Sequence, residues 1–229
     1  MDRTVARIGA WAGWVSLIGI AGYHVALMIV AGQRVSGTSD EAAIRSYYSQ
    51  AAVGPASVEQ FLVVIAVIVF AVALRQTIIG LAAADDGRVR LLTGVGLIAI
   101  AVELAVILVV SSLQAALVAS AAAGEPMAGL FRFWDVLYNS AAYGLEATWV
   151  LALGLAMRAV SVFPQFLRWL SPLTAVLLFA NVFAIWIGIP DAATLPSALA
   201  IVAWLAGASI GLGRLAGVRL DRSLVTEPA

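Results

Sequence analysis

Four ionisable side chains stand out within the long apolar runs of this sequence: His24, Glu103, Asp135 and Glu146. At bilayer depth a charged side chain costs about 2.5–3.5 kcal/mol on insertion scales, so each one calls for a reason. At about 1.5 Å per helical residue, Glu103 and Glu146 each lie about 18 Å into their runs, near the midplane. Asn181 reaches a similar depth, and His24 sits in the outer third. No arginine reaches the depth of the two glutamates. Facing carboxyls can share one proton, and an acid so placed can protonate a substrate or carry a proton. Glu103 and Glu146 are therefore the candidate acid or proton-carrying residues, and their side chains are expected to face one shared space.

The surrounding residues extend that picture. Asp135, Asn139, Ala142 and Glu146 follow i, i+4, i+7, i+11, which predicts one helix face. Glu103 and Gln114 share a face on the preceding run, with Ser111 nearby. Tyr143, Trp149, Phe179, Phe183 and Trp204 lie at comparable depth and suit the wall of an apolar pocket. His24, Asp135, Asn139, Tyr143, Trp149 and Asn181 are the candidate ligand-binding residues. Each also has a plainer role. Asp135 follows Arg132 by three residues and fits a rim ion pair, His24 can donate to a carbonyl, and Asn181 can bridge helices. Glu103 and Glu146 can simply tie two helices together.

Other chemistries are excluded by what is missing. The chain has no Cys and one His, which rules out disulfides, thiolate sites and multi-histidine iron. All thirteen basic residues are Arg, so no Lys offers a Schiff base. A metal would need His24, Glu103 and Glu146 to converge, and neither metal nor cofactor is expected. Thirteen Asp plus Glu balance the arginines, which gives no reason to expect a nucleic-acid partner. Membrane lipids and a small lipophilic ligand are the expected partners.

The elements that must hold these residues follow from composition. Of 229 residues, 63% are apolar and 11% charged, and the mean hydropathy is +1.02. Soluble proteins average about 45–50% and about 25%. Six runs suffice to cross a core of about 30 Å. They are 8–31, 58–79, 91–118, 134–157, 172–189 and 196–215, and they predict one all-α domain, a six-helix transmembrane bundle over 1–229. Ser57-Val58-Glu59-Gln60 reads as a capping box for the second span, and Ser171-Pro172 as the start of the fifth. The first run is too long for a cleaved signal peptide.

Ten arginines fall on the side of the N-terminus and three, Arg34, Arg45 and Arg132, on the other. The bias predicts cytoplasmic termini. Trp11, Trp14 and Trp169 then mark the inner boundary, and Trp134 and Trp186 the outer one. Glycines cluster in the cytoplasmic halves, as in Gly9-x-x-x-Gly13 and Gly207-x-x-x-Gly211, with Gly94, Gly96 and Gly154. Small residues let helices approach closely, so the bundle is expected to be tight there and wetter outside. The outer segment 33–57 is long. Asp40-Glu41 opens a short amphipathic helix with Ile44, Tyr47 and Tyr48, and Gly54-Pro55 ends it. That helix rests on headgroups or forms a lid.

With the spans placed, the chain resembles a group of bacterial six-helix membrane proteins known as a domain of unknown function. The resemblance rests on the Arg-rich entry to span one, the long outer loop and Tyr143-Gly144 to Gly154. The junction Phe163-Pro164-Gln165-Phe166-Leu167-Arg168-Trp169-Leu170 carries it furthest. Asp135 stands where that group would have a His. The resemblance implies the fold and a bacterial plasma membrane, but no activity. A fainter likeness, in size and acid-plus-aromatic content, is to integral-membrane terpene cyclases. Three functions follow: binding or moving a small lipophilic molecule through an outward-facing pocket, an intramembrane acid–base enzyme acting on an isoprenoid-like substrate, or a structural subunit. The arginine bias makes a direct prediction: a reporter fused after Ala229 is cytoplasmic and one inserted near Gly37 is external. An external C-terminus would overturn the orientation.

Overall fold

The apolar runs form helices throughout the computed structural model, which describes residues 2–31, 35, 38–50, 53–83, 86–160, 163–187 and 194–217. Side chains at 23–31, 54–62, 185 and 194 lie outside that description. The helices are α1 (Arg3–Ala31), α2 (Glu41–Tyr48), α3 (Val53–Leu81), α4 (Gly87–Ala123), α5 (Ala128–Val136), α6 (Tyr143–Arg158), α7 (Leu167–Trp186) and α8 (Thr194–Gly217). A π-helical stretch, Leu137–Ala142, joins α5 to α6, so the three run on as one rod. Six helical segments are long and apolar enough to cross a membrane, and no strand occurs among the described residues.

The six long elements close into a ring. α1 packs on α3, α3 on α4, α4 on α6, α6 on α7, α7 on α8, and α8 returns to α1. Each span thus neighbours the next in sequence, as short connections favour. Large apolar side chains face outward, among them Ile18, Leu91, Ile98 and Val176. Trp11, Trp169 and Trp186 are also exposed. Phe183 is 65% exposed and Phe179 36%, so these two point out of the bundle and do not wall a pocket.

Three helix starts differ from the sequence reading. α3 begins at Val53, so Gly54 and Pro55 fall in its first turn and residue 57 lies inside the helix. A proline is tolerated in a first turn because its missing N–H would be unpaired there anyway. Glu59 and Gln60 of the expected capping box have side chains outside the described residues. The fourth span starts at Ala128, and Trp134, inside it, is partly buried between the rings of Phe131 and Tyr138. α7 starts at Leu167, which puts Pro172 inside the helix. Pro172 cannot donate to the carbonyl four residues back, Arg168, and the Arg158 guanidinium of α6 donates to that oxygen instead. The same guanidinium sits 5.9 Å from the centre of the Trp169 ring.

Close packing is concentrated at the end where α1 begins and α8 ends. A Cβ built on Gly13 would stand 2.0 Å from the Ser209 hydroxyl and 2.8 Å from the Phe70 ring. One on Gly9 would be 2.7 Å from Ala73, and one on Gly154 would be 2.1 Å from Ser171 Cβ. Gly207 and Gly211 abut Phe166 and Phe163 in the same way. Gly94 is different, because nothing lies within 4 Å of the added atom.

At the opposite end α4 overshoots. Its 37 residues span about 55 Å, more than a bilayer core of about 30 Å requires. Gly124, at φ 76°, ends it in the left-handed conformation that glycine adopts without strain. α2 docks on that projecting end. Ile44 and Tyr48 are buried with Leu117, Met127 and Phe131. The Glu41 carboxylate accepts from the Met127 and Ala128 backbone N–H groups, both at 2.8 Å, and so caps α5. Arg45 bridges to Glu41 at 3.0 Å and donates to the Glu125 carbonyl at 2.7 Å. α2 is therefore seated on protein, which the headgroup-resting alternative did not foresee.

The glycine contacts predict a contrast. Gly154→Ala should cost about 1–3 kcal/mol, since α7 must move to admit a methyl. Gly94→Ala should be neutral or stabilise by up to about 1 kcal/mol. Thermal midpoints of the two purified variants in detergent give the comparison, and equal midpoints would show that α6 and α7 are not in tight contact.

Candidate functional site

The ring is not filled. Near mid-height it encloses a cavity of about 110 Å³. Gly19 and Ile20 of α1, Val63 and Val67 of α3, Leu104 and Ile107 of α4, and Ile201 of α8 give it apolar walls. Both Glu103 of α4 and Glu146 of α6 line it, as do Tyr138, Ala142 and Tyr143. The two carboxyls that the sequence placed at one depth thus share one space, each half-buried.

Their surroundings differ. Glu103 accepts a hydrogen bond from Trp149 Nε1 at 2.5 Å. Trp149 is buried and meets Trp204 edge to face, with ring centres 5.3 Å apart. Trp204 meets Phe70 of α3 in the same way at 6.2 Å and donates to Ser171 Oγ at 2.8 Å. Ser171 in turn donates to the Leu167 carbonyl at 2.7 Å. Contacts from five helices therefore converge on two buried tryptophans, one of which holds Glu103. Glu146 makes no hydrogen bond among the described residues.

A second aromatic series leads from α2 down to the cavity. Tyr48 meets Phe131 at 6.1 Å, Phe131 stacks on Trp134 at 5.7 Å, and Trp134 stacks on Tyr138 at 5.4 Å. Tyr138 then meets Tyr143 at 5.6 Å. Tyr138 was not among the candidates read from sequence, although it stands four and eight residues before Ala142 and Glu146, a spacing that an α-helical face allows. Bonding i→i+5 in the π-helical turn widens it and brings Tyr143, five residues on, to the same cavity as Tyr138.

That turn also splits the polar face expected over Asp135, Asn139, Ala142 and Glu146. Asp135 and Asn139 do not line the cavity. Asn139 Nδ2 donates to Asp135 Oδ1 at 2.8 Å, and Arg132 is exposed beside them. Asn181 is buried on α7, which contributes nothing to the cavity walls. His24 lies on α1 with its side chain outside the described residues. On α4, Gln114 is 1% exposed and its Oε1 has no partner, nor does Ser111 Oγ. Both stand on the Glu103 side of α4 towards α2. No group of three or more metal-ligating residues occurs among those described.

The Glu103–Trp149 bond predicts coupling. Trp149→Phe keeps the ring contact with Trp204 but leaves Glu103 without its donor, and should cost about 1–3 kcal/mol. Glu103→Gln preserves an acceptor and should cost less. In a Glu103→Leu background the Trp149→Phe change should lose most of its effect. Additive shifts in thermal midpoint would show that the bond contributes nothing.

No protein-family model, curated protein or solved structure matches the chain.

Proposed function

We propose that this multi-pass membrane protein binds, and lets pass, a small amphipathic molecule in the cavity between Glu103 and Glu146. One observation carries the reading: a space walled by five helices admits two carboxyls and two tyrosines among otherwise apolar side chains. Apolar walls with a few convergent polar groups are the usual composition of a small-molecule site. A purely structural carboxyl pair would be expected to close on itself. Here each carboxyl instead faces open volume, and Glu146 keeps its hydrogen-bonding capacity unused among the described residues.

Size limits the ligand. A dry cavity of about 150 Å³ accommodates benzene, so about 110 Å³ holds roughly four or five heavy atoms. An isoprenoid chain exceeds that without repacking of the walls, which favours binding over the cyclase-like reading. The arginine bias and the six-helix resemblance support a bacterial plasma membrane with cytoplasmic termini, and α2 would then cover the outer end.

Native mass spectrometry of the purified protein tests the proposal. A retained or titratable small molecule is expected for the natural chain, and Ala198→Leu, which fills the cavity from α8, should abolish it while the thermal midpoint stays within a few degrees. Retention that survives Ala198→Leu would place the molecule elsewhere, and no binding by either protein would leave the cavity without a function.

A further inference from the structure

The cavity has a chemical bias beyond its size. Glu103 and Glu146 are the two carboxyls of its described lining, which contains no basic side chain. Trp149 occupies one oxygen of Glu103, whereas Glu146 has no donor among the described residues. A carboxylate offers about four acceptor positions, so among the described residues most of the acceptor capacity here is unused. Adjacent like charges in a weakly polar space repel, and a cation between them relieves both.

The walls say which kind of cation. A bare metal ion needs a shell of oxygen ligands, typically six or more for hard divalent ions. Ile20, Val67, Leu104 and Ile201 supply none and favour alkyl groups. Tyr138 and Tyr143 are tilted 59° to one another with ring centres 5.6 Å apart, forming two sides of an aromatic corner on the same cavity. Aromatic faces attract ammonium groups, most strongly where water is excluded. Beyond the cavity towards α2, buried Gln114 and Ser111 have oxygens without partners on the Glu103 side of α4. Such groups are normally satisfied by water or a ligand, and they provide polar steps along which a cation can shed its hydration.

We propose that the cavity is a site for a small organic cation, an alkylammonium held between the Glu103 and Glu146 carboxyls and against Tyr138 and Tyr143. The inference rests on the binding role proposed above and names its ligand class.

Thermal midpoints in detergent, at constant ionic strength, provide the test with three probes: tetramethylammonium, its neutral near-isostere tert-butanol, and the bulkier tetrabutylammonium. Tetramethylammonium should raise the midpoint saturably, tert-butanol much less, and tetrabutylammonium not at all. Glu146→Gln should weaken the apparent affinity for tetramethylammonium at least tenfold. Equal responses to tetramethylammonium and tert-butanol, or an unchanged affinity in Glu146→Gln, would overturn the cationic assignment while leaving a neutral-ligand cavity in place. A response shared by tetrabutylammonium would also overturn it, as a surface effect. Silence with all three probes, together with no retained molecule in mass spectrometry, would remove the binding role as well. The wild-type series decides the matter even where Glu146→Gln fails to fold.

Discussion

Hydrocarbon offers a polar group no partner, and the main contacts of this bundle answer to that constraint. Backbone groups are satisfied within helices, as they must be in lipid. Side chains that cannot be satisfied within their own helix turn to the interior of the ring. Glu103 finds the Trp149 indole, Trp204 finds Ser171, and Ser171 finds a carbonyl of its own helix. These bonds tie α4, α6, α8 and α7 together through two buried tryptophans. The indole suits this work because it has a large apolar body and a single donor.

Closing six helices into a ring creates two demands that one set of residues cannot meet. Helices must approach closely somewhere to gain packing energy, yet a space must remain for the carboxyls. The chain separates the two along its axis. Glycines at 9, 13, 154, 207 and 211 let neighbouring side chains press against bare backbone at one end. The cavity opens beyond that row, beside Ala142 and Ala198, where Gly19 still meets Val63 closely. Pro172 belongs to the same economy of contacts. Its helix lacks one hydrogen bond, and the freed carbonyl becomes the docking point for Arg158 of the neighbouring helix.

The end bearing α2 is built by a different logic. There α4, longer than a bilayer core of about 30 Å requires, comes to its end beside a cluster of charged groups. Glu41 serves two elements at once, as a salt-bridge partner of Arg45 and as the cap of α5. The rings of Tyr48, Phe131, Trp134 and Tyr138 connect this cap to the cavity walls. A displacement of α2 would therefore bear on Tyr138 through packed aromatic contacts.

The number of spans, their order and the common level of Glu103 and Glu146 were legible in the sequence, because each depends on hydropathy and on a fixed rise per residue. The tight end was legible too, since glycine spacing reports close approach whichever helix is the neighbour. Helix starts were less so. Pro172 and Gly54-Pro55 look like boundaries locally, but tertiary partners or first-turn placement let the helix run through them. The lining of the cavity was legible only in part. Tyr138 shares an α-helical face with Ala142 and Glu146, but its meeting with Tyr143 depended on a π-helical turn. Asp135 and Asn139 bond to each other away from the cavity. Which indole would meet which carboxyl likewise depended on the rotation of α4 against α6. The sequence by itself determined what had to be inside the membrane, through transfer energies that belong to single residues. Only the tertiary structure decided what those residues face, because rotation and register are set by packing between helices.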